Sequence, residues 1–200
     1  MSNILQDHYE PHFAKLLEEI GSTPTGAPLI DWVRHHLPKI GYGQPLSGDA
    51  FAYPRPVQRM VVRRGIPEEA ERELVAHELV HIVRWSAHMV GSREQEYDAY
   101  LTAAKIRCEF NGWDWRDPEG EAAKQYPKFF GPKPDKAGYK ENLKKRIPFY
   151  EVLPWDQPRG LLNTAAAMAK QTLFGARIVA KNLKKRLDKD PTEDQAKKQA

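Results

Sequence analysis

Leu74-Val75-Ala76-His77-Glu78-Leu79-Val80-His81-Ile82-Val83 is the stretch on which the reading of this chain turns. Pro67 suits a first helical turn, and Glu68, Glu69 and Glu71 place negative charge near the positive end of the helix dipole. The helix is predicted to run to about Trp85. Leu74, Leu79, Ile82 and Val83 give it more than one apolar side, as expected of a central, largely covered helix. Histidines four apart project from one face, so His77 and His81 can bind a single ion. Glu78 sits beside the first histidine, on the side where water would be activated, which suits a general base rather than a ligand. The plain alternative is two helix histidines with an acidic neighbour. Burying such a trio in so apolar a stretch is costly unless something satisfies it.

After this helix, Gly91 breaks the pattern, and Ser92 with Gln95 forms a capping-box signature for a second helix. This helix is predicted to extend through Tyr97, Tyr100, Leu101, Ala104 and Ile106 to about Phe110, where Asn111-Gly112 stops it. A catalytic zinc keeps three protein ligands and one open position, so a third ligand must come from elsewhere. The second helix offers Glu94, Glu96 and Asp98. Glu96 is preferred because Tyr100 and Ala103 share its face. Glu94 is the rival, with Asp98 on its own face as a partner for a liganding histidine. His88 is a further alternative that needs a turn straight after Trp85. A developing oxyanion needs a donor, and Tyr97, His88, Tyr139 and Tyr150 are the candidates, with Tyr97 placed first.

Elsewhere, Phe13, Leu16, Leu17 and Ile20 predict a helix over residues 6–20, ended by Gly21-Ser22-Thr23-Pro24. Residues 29–37 read as helical. Residues 40–56, rich in Gly, Pro and aromatics, read as irregular, and 57–62 as one strand. Residues 113–160 are expected to wrap their aromatics on the core. A helix is predicted over Leu161–Leu187, where Leu162, Ala166, Ala169, Leu173, Ala176 and Leu183 suit close helix contact, and a disordered tail over 188–200. The expected class is α+β, mostly helical with a small sheet beside the active-site helix. Residues 1–160 form one domain in this reading, followed by the helix and tail.

The chain has 200 residues, 40% of them hydrophobic, enough for one ordinary core. One cysteine, Cys108, excludes an intramolecular disulfide and a cysteine-rich zinc knuckle. No segment approaches a membrane span and the amino terminus carries no secretory pattern; a cytoplasmic protein is expected, unless a dedicated secretion system recognises it. The net charge of +4 is modest. Lys144, Lys145 and Arg146 cluster, as do Lys181, Lys184, Lys185 and Arg186; such runs are usually solvated faces but also suit nucleic acid.

His77-Glu78-Leu79-Val80-His81, followed by Glu96, resembles the gluzincin group of zinc metallopeptidases. It is most similar to small bacterial or phage zincins of the ImmA/IrrE-like kind, whose pattern is met here by Glu96, Asp98 and Tyr100. The resemblance spans about residues 57–106. It implies Zn2+ held by His77, His81 and Glu96, with Glu78 activating water to cut a protein or peptide substrate. Larger gluzincins carry an aspartate where this chain has Tyr100. The metzincin pattern fails, because Arg84 and Ala87 occupy its glycine and third-histidine offsets. Two other classes stand beside the peptidase: a metal-stabilised or metal-free assembly protein using the 161–187 helix, and a nucleic-acid binder using the basic clusters.

Overall fold

Asn3 accepts a hydrogen bond from the Leu5 N–H and so caps a short helix α1 (Ile4–His8). The computed structural model describes residues 3–45, 48–53, 57–84, 90–145 and 147–187. Helix α2 (Pro11–Gly21) follows after a break at Tyr9-Glu10, so the single helix expected over 6–20 is in fact two. Pro11 explains the break: it lacks an N–H to continue an incoming helix yet fits a helix start. The Tyr9 hydroxyl then donates to the Pro38 carbonyl at 2.9 Å, tying the break to the rest of the fold. Phe13, Leu16, Leu17 and Ile20 of α2 are fully buried. Helix α3 (Ala27–His36) buries Leu29, Ile30 and Val33, and ends at Leu37 in a left-handed conformation.

The 40–56 region, expected to be irregular, carries two of the three strands: β1 (Lys39–Tyr42) and β2 (Ala50–Tyr53) flank β3 (Arg59–Val62). β1 runs parallel and β2 antiparallel to β3, with Ile40 opposite Met60 and Ala52 also opposite Met60 on the other side. Ala50-Phe51-Ala52-Tyr53 alternates small and aromatic residues, a period-two signal that the surrounding glycines and prolines obscure.

Helix α4 (Glu68–Arg84) lies at the centre, against α2, α3, β2 and β3, and along much of its length against α5 (Arg93–Phe110). Val75, Ala76, Leu79 and Val80 are wholly buried and Ile82 nearly so. Each large apolar side chain so covered contributes about 1.5–3 kcal/mol. Ser92 caps α5, its hydroxyl accepting from the Gln95 N–H at 3.2 Å. Arg107 fixes the two helices in register, reaching Glu73 at 2.8 Å and Glu69 at 2.6 Å.

Beyond α5 the chain forms short helices α6 (Glu121–Gln125), α7 (Pro127–Phe130) and α8 (Lys136–Leu143), then a 3-10 turn over Pro148–Val152. Cys108 is buried beneath α6 and α7 with Ala104, Ala122, Ala123 and Phe130. Helix α9 (Leu161–Leu187) closes the described chain. No helix among the described residues is long and apolar enough to cross a membrane. Arg146, His88 and the 188–200 tail lie outside the described residues.

Candidate metal centre

His77 and His81 leave α4 one turn apart, and Glu96 leaves the first turn of α5 to meet them. The two imidazole Nε2 atoms lie 3.2 Å apart. Glu96 places its carboxylate oxygens 3.4 Å from His77 Nε2 and 3.5 Å from His81 Nε2. The cluster sits in the interior, with His77 and Glu96 buried and His81 half-buried. The fold thus makes a group of three that could hold a metal ion.

The spacing itself bears on the fit. An ion held tetrahedrally by nitrogen and oxygen at zinc distances separates its ligand atoms by about 3.4 Å. The observed 3.2, 3.4 and 3.5 Å straddle that value. Glu96 Oε2 is also buried without a hydrogen-bond partner among the described residues. An orphaned carboxylate oxygen facing the His77 imidazole nitrogen is costly unless a cation or proton joins them.

Electrostatics reinforce this. Burial opposes charge on His81, but the Glu96 carboxylate outweighs it by charge and hydrogen bond, aided by Glu78 and Asp98, and lifts the imidazole to about 9. Burial likewise opposes charge on Glu96, yet His81 and His77 hold its carboxyl far below the usual carboxylate range. Glu78 is different. Burial dominates and raises its carboxyl, against the lowering effect of both histidines and of a hydrogen bond from the Ala52 backbone on β2. A carboxyl held this way exchanges a proton more readily near neutral pH than an exposed glutamate does.

Of the other acidic residues on α5, Glu94 turns away: it accepts from Lys136 at 2.5 Å and from Lys140 at 2.8 Å. Asp98 accepts from Arg84 at 3.1 Å, which also donates to Thr102 at 3.0 Å. Tyr97 packs edge-on against Phe129 and Tyr139, with Lys136 over its ring, in an aromatic cluster that Tyr100 and Tyr150 also join. Tyr139 sits in that same cluster. Tyr100 lies tilted against His77, ring centres 4.2 Å apart, and its hydroxyl lies 3.2 Å from that of Tyr150. Burial, then the negative Glu96, pushes the Tyr150 phenol well up, so it stays a proton donor.

His77, Glu78, His81, Glu96, Tyr100 and Tyr150 line a cleft of about 520 Å3. The opposite walls come from residues that sequence reasoning did not assign to the site. Strand β2 supplies one wall from Ala50 to Tyr53, and α9 supplies another through Gln171, Thr172, Gly175 and Val179. Gln171 ties α9 to the site's rim, accepting from the Gly91 N–H at 3.1 Å and donating to the Gly91 carbonyl at 2.9 Å. The alternation at 50–53 was a readable signal for the first wall; nothing in the sequence pattern points α9 at the cleft.

Comparison of the chain with protein-family models, with curated proteins and with solved structures finds no match.

Proposed function

We propose that the chain is a zinc-dependent peptidase of gluzincin type, with His77, His81 and Glu96 as metal ligands and Glu78 as general base. The observation that carries this reading is the triangle of ligand atoms at 3.2–3.5 Å beside a buried carboxylate that takes no part in it. When bound, a divalent ion supplies Lewis acidity, polarising a carbonyl and making water a better nucleophile.

The chain's own residues do the rest. Glu78 accepts a proton from the attacking water as its oxygen bonds to the carbonyl carbon, and returns that proton to the amine nitrogen as the C–N bond breaks. Tyr150, whose hydroxyl faces the ligand cluster, donates to the carbonyl oxygen as it gains charge. The backbone Ala52 hydrogen bond orients Glu78.

A peptide substrate fits the architecture. β2 is an edge strand, paired with β3 on one side only among the described residues. Arg63 N–H donates to the Asp49 carbonyl at 2.8 Å, so the alternation of the ladder turns the backbone groups of Ala50 and Ala52 away from β3. An extended peptide can pair with the Ala50 groups and the Ala52 carbonyl, the Ala52 N–H being held by Glu78. Phe51, Ile147, Phe149 and Val179 give the cleft apolar walls, which favours a large apolar side chain beside the scissile bond.

The test is cleavage of a mixed peptide library by the zinc-loaded chain, read by mass spectrometry. Cleavage beside large apolar residues, lost in Glu78→Gln while bound zinc is retained, supports the reading. A zinc-loaded chain that leaves the library intact, or a Glu78→Gln variant as active as the wild type, overturns it.

A further inference from the structure

Among the described side chains, helix α9 meets the body along one face. Thr164, Gln171, Phe174 and Ile178 are half-buried and Ala167 is buried, and Phe174 packs on Phe149 with ring centres 5.8 Å apart. The face turned away carries Leu162, Ala166, Ala169, Leu173 and Ala180, with Ala176 at the edge of the cleft, and all six are exposed. Leu162 is 85% and Leu173 63% exposed, which is unusual for leucines on an ordered helix.

These six positions repeat at intervals of four and three, and in sequence the spacing continues through Leu183 and Leu187. That is the seam of a coiled coil, in which each position inserts between four residues of a facing helix. From Leu162 to Ala180 the exposed seam runs about 27 Å along α9. α9 is already folded against the body, so a partner helix would not have to bear the cost of ordering it.

Charge indicates what the facing helix is like. Leu161–Leu187 contains no Asp or Glu, and six cations. Lys170, Arg177 and Lys184 recur every seven residues on one flank of the seam, all exposed. Among the described residues no ion pair engages them. A second copy of α9 answers this poorly. Packed antiparallel it sets cations against cations, and packed parallel it sets Lys170, Arg177 and Lys184 against Ala165, Thr172 and Val179. A lipid surface also answers it poorly, since four of the six exposed seam residues are alanines, which bury little apolar area. Alanines do leave shallow holes that large side chains of a neighbouring helix can fill.

We propose that the outer face of α9 docks an acidic amphipathic helix of a protein partner. Its large apolar side chains would enter the seam between Leu162 and Ala180, and its carboxylates would face Lys170, Arg177 and Lys184. This role stands apart from the metal centre and does not depend on catalysis.

The experiment uses the full chain and two synthetic heptad peptides with leucine at the seam positions. One carries glutamate and the other lysine at both flanks, and binding is read by fluorescence anisotropy. The acidic peptide is expected to bind saturably. Binding should fall at least tenfold in Leu162→Asp/Leu173→Asp, whose side chains are exposed, so that circular dichroism and the thermal midpoint stay as in the wild type. Charge reversal at Lys170, Arg177 and Lys184 to Glu should exchange the preference, giving binding of the basic peptide in place of the acidic one. Absence of binding, equal binding of both peptides, or indifference to the leucine pair overturns the proposal. So does a wild-type dimer in sedimentation that Leu173→Asp dissociates, which assigns the face to a second copy. Flotation with phosphatidylserine vesicles that the leucine pair abolishes also overturns it, and assigns the face to lipid.

Discussion

Replacing Glu96 by glutamine should remove a specific pH dependence from the stability of the chain after its metal is stripped by chelator. His81 titrates near 6.5 when unfolded and at about 9 when folded, because Glu96 and its acidic neighbours outweigh the burial that opposes its charge. The folded form therefore binds this proton more tightly. Its contribution is complete below pH 6.5 and is lost as the pH rises through about 9. The difference, 9 minus 6.5, corresponds at about 1.4 kcal/mol per unit to a loss on the order of 3 kcal/mol. Glu78, whose carboxyl burial also raises, acts in the same direction from its unfolded value of 4.5 upward. Glu96→Gln deletes the main attraction for the His81 proton, so burial prevails and most of the loss above pH 6.5 disappears. Urea denaturation of both proteins at pH 6 and pH 9 gives the stabilities, and imidazole NMR shifts give the His81 titration directly. A wild-type His81 that titrates at or below 6.5, or a glutamine variant with the same loss as wild type, refutes the reasoning.

Glu94→Gln should leave metal stoichiometry unchanged, since Glu94 is held by Lys136 and Lys140; plasma emission spectrometry of the purified variant checks this. Tyr150→Phe should lower kcat on the order of a hundredfold with zinc retained, while Tyr97→Phe stays near wild type, as compared by steady-state kinetics on a cleaved peptide. Phe13→Ala, at a wholly buried position of α2, should cost about 3–5 kcal/mol in urea denaturation.

The parts of this fold that were legible in the sequence are those with strong local signals. α4 and α5 could be placed because Pro67, the acidic first turn, Ser92 and Asn111-Gly112 punctuate them, and the histidine spacing then put both imidazoles on one face. The edges of the sheet were hidden. β1 and β2 are four residues each, too short to show alternation against nearby Gly and Pro, and their pairing with β3 is a long-range event. The split between α1 and α2 followed from Pro11, whose effect the apolar spacing of the following residues masked. Within the site, the choice between Glu96 and Glu94 rested on which face of α5 meets α4. Tertiary packing sets that face, and here it gives Glu94 to two lysines. The position of Tyr150 beside Glu96 depends on a 3-10 turn about fifty residues away in the chain, and α9's place over the cleft depends on Gln171 meeting Gly91. No local pattern encodes either contact.

The most direct test of the central claim is the metal content of the full chain, purified without chelator, beside Glu78→Gln and His81→Ala. One zinc per chain is expected in the wild type and in Glu78→Gln, and its loss in His81→Ala. Wild-type protein without stoichiometric metal, or a His81→Ala variant that keeps its full complement, would contradict it.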